Sequence, residues 1–190
     1  MNLPNRLTML RLLLTLPFVA ALSVTFAGSK LLALLIFLLG TATDYADGII
    51  ARRFHLVTDF GRLMDPLVDK IMTVSAFICL VALHAIPAWT AITIVSREFL
   101  ITGLRLVAAS RGIVLPAEKL GKHKTAWQMV TILYYLALLT LAERAPGLTN
   151  RPVGTMAGWL GVALIALTVT LTLYSGGVYL ARHRNLFREN

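Results

Sequence analysis

The sequence predicts an all-α membrane protein: one domain over residues 1–190, crossing the bilayer as six helices with both termini in the cytoplasm. Three observations predict it. The 190 residues are 57% hydrophobic and 14% charged, whereas a soluble domain is nearer half apolar and a quarter charged. The apolar residues fall in long continuous runs rather than alternating, which favours helices over strands. The cations fall mainly on one side of those runs: twelve of the 18 Lys and Arg lie in the N-terminal segment, 52–62, 110–124 and the C-terminal tail. The positive-inside rule puts that side in the cytoplasm.

A helix needs about 20 apolar residues to cross the hydrocarbon. Six such runs are present, at 7–27, 30–51, 63–85, 88–109, 123–142 and 155–180. The first, with its basic start "MNLPNRLTMLRLLL", resembles a signal peptide. It is also long enough to span, and we read it as a retained helix with "NLPNRLT" as its cytoplasmic lead-in. "FAGSK" separates it from the second run and "HAIPAW" parts the third from the fourth. "SRGIVLPAEKLGKHK" precedes the fifth and "ERAPGLTNRPVG" the sixth. Gly154 and Gly158 in "GTMAG" form a small-xxx-small pattern that suggests helix contact. The cations come in short clusters between spans, which points to anionic lipid heads and away from nucleic acid. The lone Cys79 allows no disulfide and no cysteine zinc site.

Five of the nine acidic residues fall between 44 and 69. Asp44 and Asp47 are three apart, and Asp65 and Asp69 four apart. Each pair shares one helix face, near the cytoplasmic ends of the second and third spans. A connection of about ten residues makes those spans antiparallel neighbours, so the faces can meet. Four carboxylates together must take up protons, pair with Arg52, Arg62 or Lys70, or hold metal. An all-Asp set suits a hard divalent cation, Mg²⁺ or Mn²⁺, better than zinc. Gly48, Ala51 and Gly61 continue the two faces and leave room for a large ligand, or for close helix packing.

The stretch "DYADGIIARRFHLVTDFGRLMDPLVD" reads D-x2-D-G-x2-A-R-x8-G-x3-D-x3-D. It resembles the signature of the CDP-alcohol phosphatidyltransferase family at all eight fixed positions. The resemblance implies a six-helix membrane enzyme, usually a homodimer, that displaces CMP from a CDP-linked lipid with an alcohol. It implies that Asp44, Asp47 and Asp65, with Asp69, hold two divalent ions and that Asp69 is the general base. Arg52 would pair with the diphosphate, while Gly48, Thr58 and Gly61 line the liponucleotide site. Asn5 and Thr8 in "PNRLT" look like the family's N-terminal nucleotide contact; a helix cap and turn is the alternative.

The second half places Arg97, Glu98 and Arg105 in the fourth span. Thr102 and Arg105 are three apart and share a face. Arg111, Lys119 and Lys124 follow. A cationic pocket beside a diphosphate site suits an alcohol that itself carries phosphate. "SREFLITGLR" and "LGKHKT" are similar to the phosphatidylglycerophosphate-forming branch of bacterial inner membranes. That implies CDP-diacylglycerol as donor and sn-glycerol 3-phosphate as acceptor, with the site facing the cytoplasm. Inositol phosphate, serine or phosphatidylglycerol are alternative acceptors. A cation or proton transporter is the reading from another class, and it needs polar residues continuing to the far side of the membrane. The last two spans offer only general hydrophobicity.

Overall fold

The structure, a computed structural model, describes the backbone of residues 3–54, 59–110, 112, 119–145 and 152–183. Side chains are described over 9–43, 68, 70–110, 112, 121, 123–145 and 156–183. Among these residues the chain is six helices and no strand: α1 (Leu3–Ser23), α2 (Ser29–Phe54), α3 (Asp59–Ala82), α4 (Ala88–Ser110), α5 (Lys119–Arg144) and α6 (Pro152–Arg182).

The helices match the six apolar runs but shift at their ends. α1 starts at Leu3, so the expected lead-in is helical, with Pro4 in the first turn, where its missing N–H costs nothing. It stops at Ser23 although the apolar run continues to Ala27. Gly28 (φ 85°) makes the turn, and the Ser29 amide donates to the Phe26 carbonyl at 3.0 Å. Hydropathy does not register such a stop, because a loop at the membrane edge can stay apolar.

Side-chain pairings fix the directions. Glu143 of α5 meets Ser29 at the start of α2, so these two run antiparallel. Arg97 and Arg105 of α4 meet Ser175 and Tyr179 of α6, so these run parallel. α1 lies against α2 and α3, α3 against α4, and α4 against α6. α6 packs on α5, which closes onto α2 and also touches α3. The core holds Phe18 and Phe37, with ring centroids 5.7 Å apart, together with Met72, Phe77, Leu80, Ile94, Ile132 and Leu136.

Hydroxyl groups join the apolar interior, while large apolar side chains face outward. Thr90, Thr131, Thr168, Thr172 and Ser175 are buried, while Leu16, Ile92, Met156 and Trp159 are 64–76% exposed. Thr131 and Thr168 hydrogen-bond across α5 and α6 at 2.8 Å. Apolar outside with hydroxyls inside is how helices pack in lipid, where apolar contact alone gives no drive to associate. Two helical segments among the described residues, His123–Arg144 and Met156–Arg182, are long and apolar enough to cross a membrane. Met9–Ser23, Ser29–Thr43 and Lys70–Ala82 are shorter apolar pieces.

Two local features carry the packing. Gly161, rather than Gly158, makes the close approach of α6 to α5. A methyl at Gly161 would sit 2.7 Å from the Tyr135 hydroxyl, whereas Gly158 faces open space. The second feature ends α3. The Ala85 amide donates to Leu80 and the His84 amide to Val81, both at 2.9 Å, with His84 at φ 55°. This is a Schellman cap whose left-handed position normally takes glycine. A left-handed non-glycine residue costs about 1–2 kcal/mol, so His84→Gly is expected to raise the thermal midpoint slightly and His84→Val to lower it. Scans of the detergent-solubilised protein check this; equal midpoints would contradict it.

Candidate active site

One end of the bundle gathers the C-terminal ends of α2, α4 and α6 with the N-terminal ends of α1, α3 and α5. Every expected site residue with described backbone belongs to this end. The described backbone puts Asp44, Asp47, Gly48 and Arg52 in α2, and Gly61, Asp65 and Asp69 in α3. Asn5 and Thr8 lie in α1 and Lys119 in α5. Their side chains lie outside the described ones, and Thr58 and Arg111 lie outside the described residues.

Helical register still relates the aspartate positions. α2 and α3 meet at Gly40 and Met72: a methyl on Gly40 would lie 2.5 Å from the Met72 sulfur. Asp44 and Asp47 are four and seven residues from Gly40, and Asp69 and Asp65 are three and seven from Met72. By helical spacing these offsets put the four positions on the sides of α2 and α3 that carry Gly40 and Met72. At 1.5 Å per residue, Asp44 and Asp69 stand about 6 and 4.5 Å above the contact, and Asp47 and Asp65 both about 10.5 Å. The positions pair by level. Aspartate at four such positions offers the oxygen chemistry that suits hard divalent ions. Among the described residues no three His, Cys, Asp or Glu converge.

Beneath this seam lies Arg11. By position in the chain it belongs to the basic N-terminal segment, but α1 turns it inward. It is buried and lines a small opening with Phe37, Gly40, Thr41, Met72, Thr73 and Met129. Its spacing to Thr15, Phe18 and Leu22 repeats the buried stripe of α1, so a phase count could have shown its direction.

The adjoining half of the site is a buried cluster around Glu98. Lys124, 3% exposed, donates to Glu98 Oε1. Arg97 Nη1 lies 3.4 Å from the same oxygen, and Lys70 Nζ is 4.0 Å from Oε2. Lys70 also donates to the Thr102 hydroxyl at 2.6 Å. Three cations thus share the one carboxylate of Glu98. Lys70 follows Asp69 directly in α3, so this cluster borders the aspartate seam. Arg105, two turns beyond Glu98 and half-buried, donates from Nε to the Tyr179 hydroxyl at 3.1 Å. Its guanidinium carbon lies 5.3 Å from that ring's centroid. Of the expected acceptor residues, the structure thus joins Thr102 and Lys124 to the Glu98 cluster and sets Arg105 beside them.

Comparison with known proteins bears on this arrangement. The family model for CDP-alcohol phosphatidyltransferases matches residues 1–174. The chain belongs to the CDP-alcohol phosphatidyltransferase family. Proteins named CDP-diacylglycerol–glycerol-3-phosphate 3-phosphatidyltransferase are similar to it over most of its length. One from Bacillus subtilis (strain 168) is 34% identical, covering 96% of this chain and 95% of its own. One from Rickettsia felis is 33% identical, covering 88% and 91%. One from Mycoplasma pneumoniae is 31% identical, covering 94% and 86%.

In this CDP-alcohol phosphatidyltransferase, α6 offers more than the general hydrophobicity expected of it. Ser175 accepts from Arg97 Nη2 at 3.0 Å, Gly176 leaves space for the Arg97 stem, and Tyr179 holds Arg105. The signal was present: Thr168, Thr172, Ser175 and Tyr179 form a polar stripe with the spacing of one helix face. Lys70 reaches across to α4, where it donates to the Thr102 hydroxyl.

Proposed function

We propose that this chain transfers the phosphatidyl group of CDP-diacylglycerol to sn-glycerol 3-phosphate, giving phosphatidylglycerophosphate and CMP. The observation that carries the choice of acceptor is the gathering of Arg97, Arg105 and Lys124 around the single carboxylate of Glu98, among the residues with described side chains, at the end of the bundle that holds the aspartate positions. A neutral alcohol has no use for these cations, whereas a phosphate-bearing alcohol pairs with them. Lys119, Lys122 and Lys124 within the first six residues of α5 oppose the dipole of that helix, and an anionic ligand there relieves the conflict. The names of the relatives agree.

Asp44, Asp47, Asp65 and Asp69 would hold two Mg²⁺ or Mn²⁺ ions, which when bound neutralise the diphosphate and its transferring phosphoryl group. Asn5, Thr8, Gly48, Thr58 and Gly61 line the liponucleotide site, and Arg52 pairs with diphosphate oxygens. Thr102, Arg105, Arg111, Lys119 and Lys124 orient the acceptor through its phosphate. Asp69 takes the proton of the acceptor hydroxyl. The hydroxyl oxygen then bonds to the phosphorus nearest the diacylglycerol as the bond to CMP breaks. In this reading all six helices span a bacterial inner membrane rich in anionic lipid, with both termini and the site in the cytoplasm. The enzyme works as a homodimer.

Arg105→Ala tests the acceptor. It removes charge-assisted hydrogen bonds worth about 1.5–3 kcal/mol each. KM for glycerol 3-phosphate is therefore expected to rise roughly 10- to 100-fold, with KM for CDP-diacylglycerol little changed. Equal effects on both would overturn the assignment. Labelled inositol phosphate, serine or phosphatidylglycerol in place of glycerol 3-phosphate, with CMP release as readout, separates the alternative acceptors.

A further inference from the structure

Tyr179 lies in a helix whose sequence offered no chemistry, yet it is 2% exposed and spends its hydroxyl on one partner, Arg105 Nε. The ring lies under the guanidinium, and Ile101 and Leu104 pack around it. The ring also sits 4.5 Å from that of His183, whose Nδ1 approaches the Tyr179 carbonyl at 2.9 Å. The ring is therefore held by packing as well as by its hydroxyl. A guanidinium has five N–H groups. The Tyr179 bond takes the Nε one, and among the described residues the four on the terminal nitrogens carry no hydrogen bond. A guanidinium tethered at Nε presents both terminal nitrogens together, the geometry for a bidentate grip on a phosphate.

We propose that Tyr179 is a positioning residue for the acceptor: its hydroxyl and ring fix Arg105 so that the two terminal nitrogens face the acceptor phosphate. The proposal rests on the reading of Arg105 as a phosphate ligand. It acts through acceptor binding and not through the liponucleotide or the reacting atoms.

Tyr179→Phe keeps the buried ring and deletes only the hydroxyl. With the full-length enzyme in lipid–detergent micelles, we expect KM for glycerol 3-phosphate to rise about 3- to 10-fold, the loss of one hydrogen bond. KM for CDP-diacylglycerol stays within twofold. In an Arg105→Ala background the same substitution adds nothing further, because the group it positions is gone. A merely structural role would lower the thermal midpoint and move both KM values, alone and in the double variant alike; that result overturns the proposal. So does an unchanged acceptor KM in Tyr179→Phe when Arg105→Ala raises it, and the function reading then survives. An unchanged acceptor KM in Arg105→Ala removes the phosphate reading and this proposal with it.

Discussion

Asp69→Asn is expected to abolish measurable turnover while leaving CDP-diacylglycerol bound. Asparagine matches aspartate in size and can still offer an oxygen to a cation, but it cannot accept the proton of an attacking hydroxyl. General-base catalysis contributes about 10²- to 10⁴-fold, and the fall in CMP release should be at least of that order. Liponucleotide affinity, read from the thermal shift on titration, should stay within a few-fold. Asp44→Asn makes the contrast. It lies at the same level of the seam but is assigned no proton transfer, so its loss should appear first in liponucleotide affinity. Substantial turnover by Asp69→Asn would dismiss Asp69 as the base, whatever happens to binding.

Glu98→Ala should lower stability more than any of the other single substitutions. Glu98 is the carboxylate that Lys124, Arg97 and Lys70 share. Breaking a buried pair by removing one partner costs about 3–5 kcal/mol, because it leaves an uncompensated charge among the helices. For a chain of this size that corresponds to a fall of roughly 6–20 °C in the thermal midpoint. Glu98→Leu combined with Lys124→Met removes both charges and should recover a large part of the loss. Acceptor affinity would stay low in that double variant, since Lys124 is assigned to the acceptor. A Glu98→Ala variant as stable as the parent would show that the cluster is not held by this carboxylate.

The helices and the aspartate positions stand out in the sequence for different reasons. Length and hydropathy find helices because hydrocarbon thickness sets a minimum run of apolar residues. The aspartates stood out because an acidic residue near a span is costly without a purpose. The end of α1 was harder to see: Gly28 turns the chain while Val24 and Phe26 remain apolar and exposed. Inner-face polar residues were hidden by their mildness. Thr15, Thr43 and Thr140 donate to the carbonyl four residues back in their own helix, so in one dimension they look like neutral filler. Tyr179 and Ser175 look the same until α4 is placed beside α6. Lys70 shows the complementary limit. In the sequence it is one more cation beside the aspartates, and only the fold says that it reaches α4.

Glu143 has a consequence at a distance. From the end of α5 it accepts from the Ser29 hydroxyl and from the Lys30 amide, both at 3.3 Å, while Lys30 Nζ ties back to the Leu22 carbonyl at 3.1 Å. This latch pins α2 at the extremity remote from its aspartates. Ser29 and Asp44 are about fifteen positions apart on one rod, roughly 22 Å. The latch therefore works like the zero mark of a ruler, setting the height of the aspartate positions along the bundle. A slip of a single helical turn there would displace them by about 5.4 Å, more than the length of a carboxylate side chain.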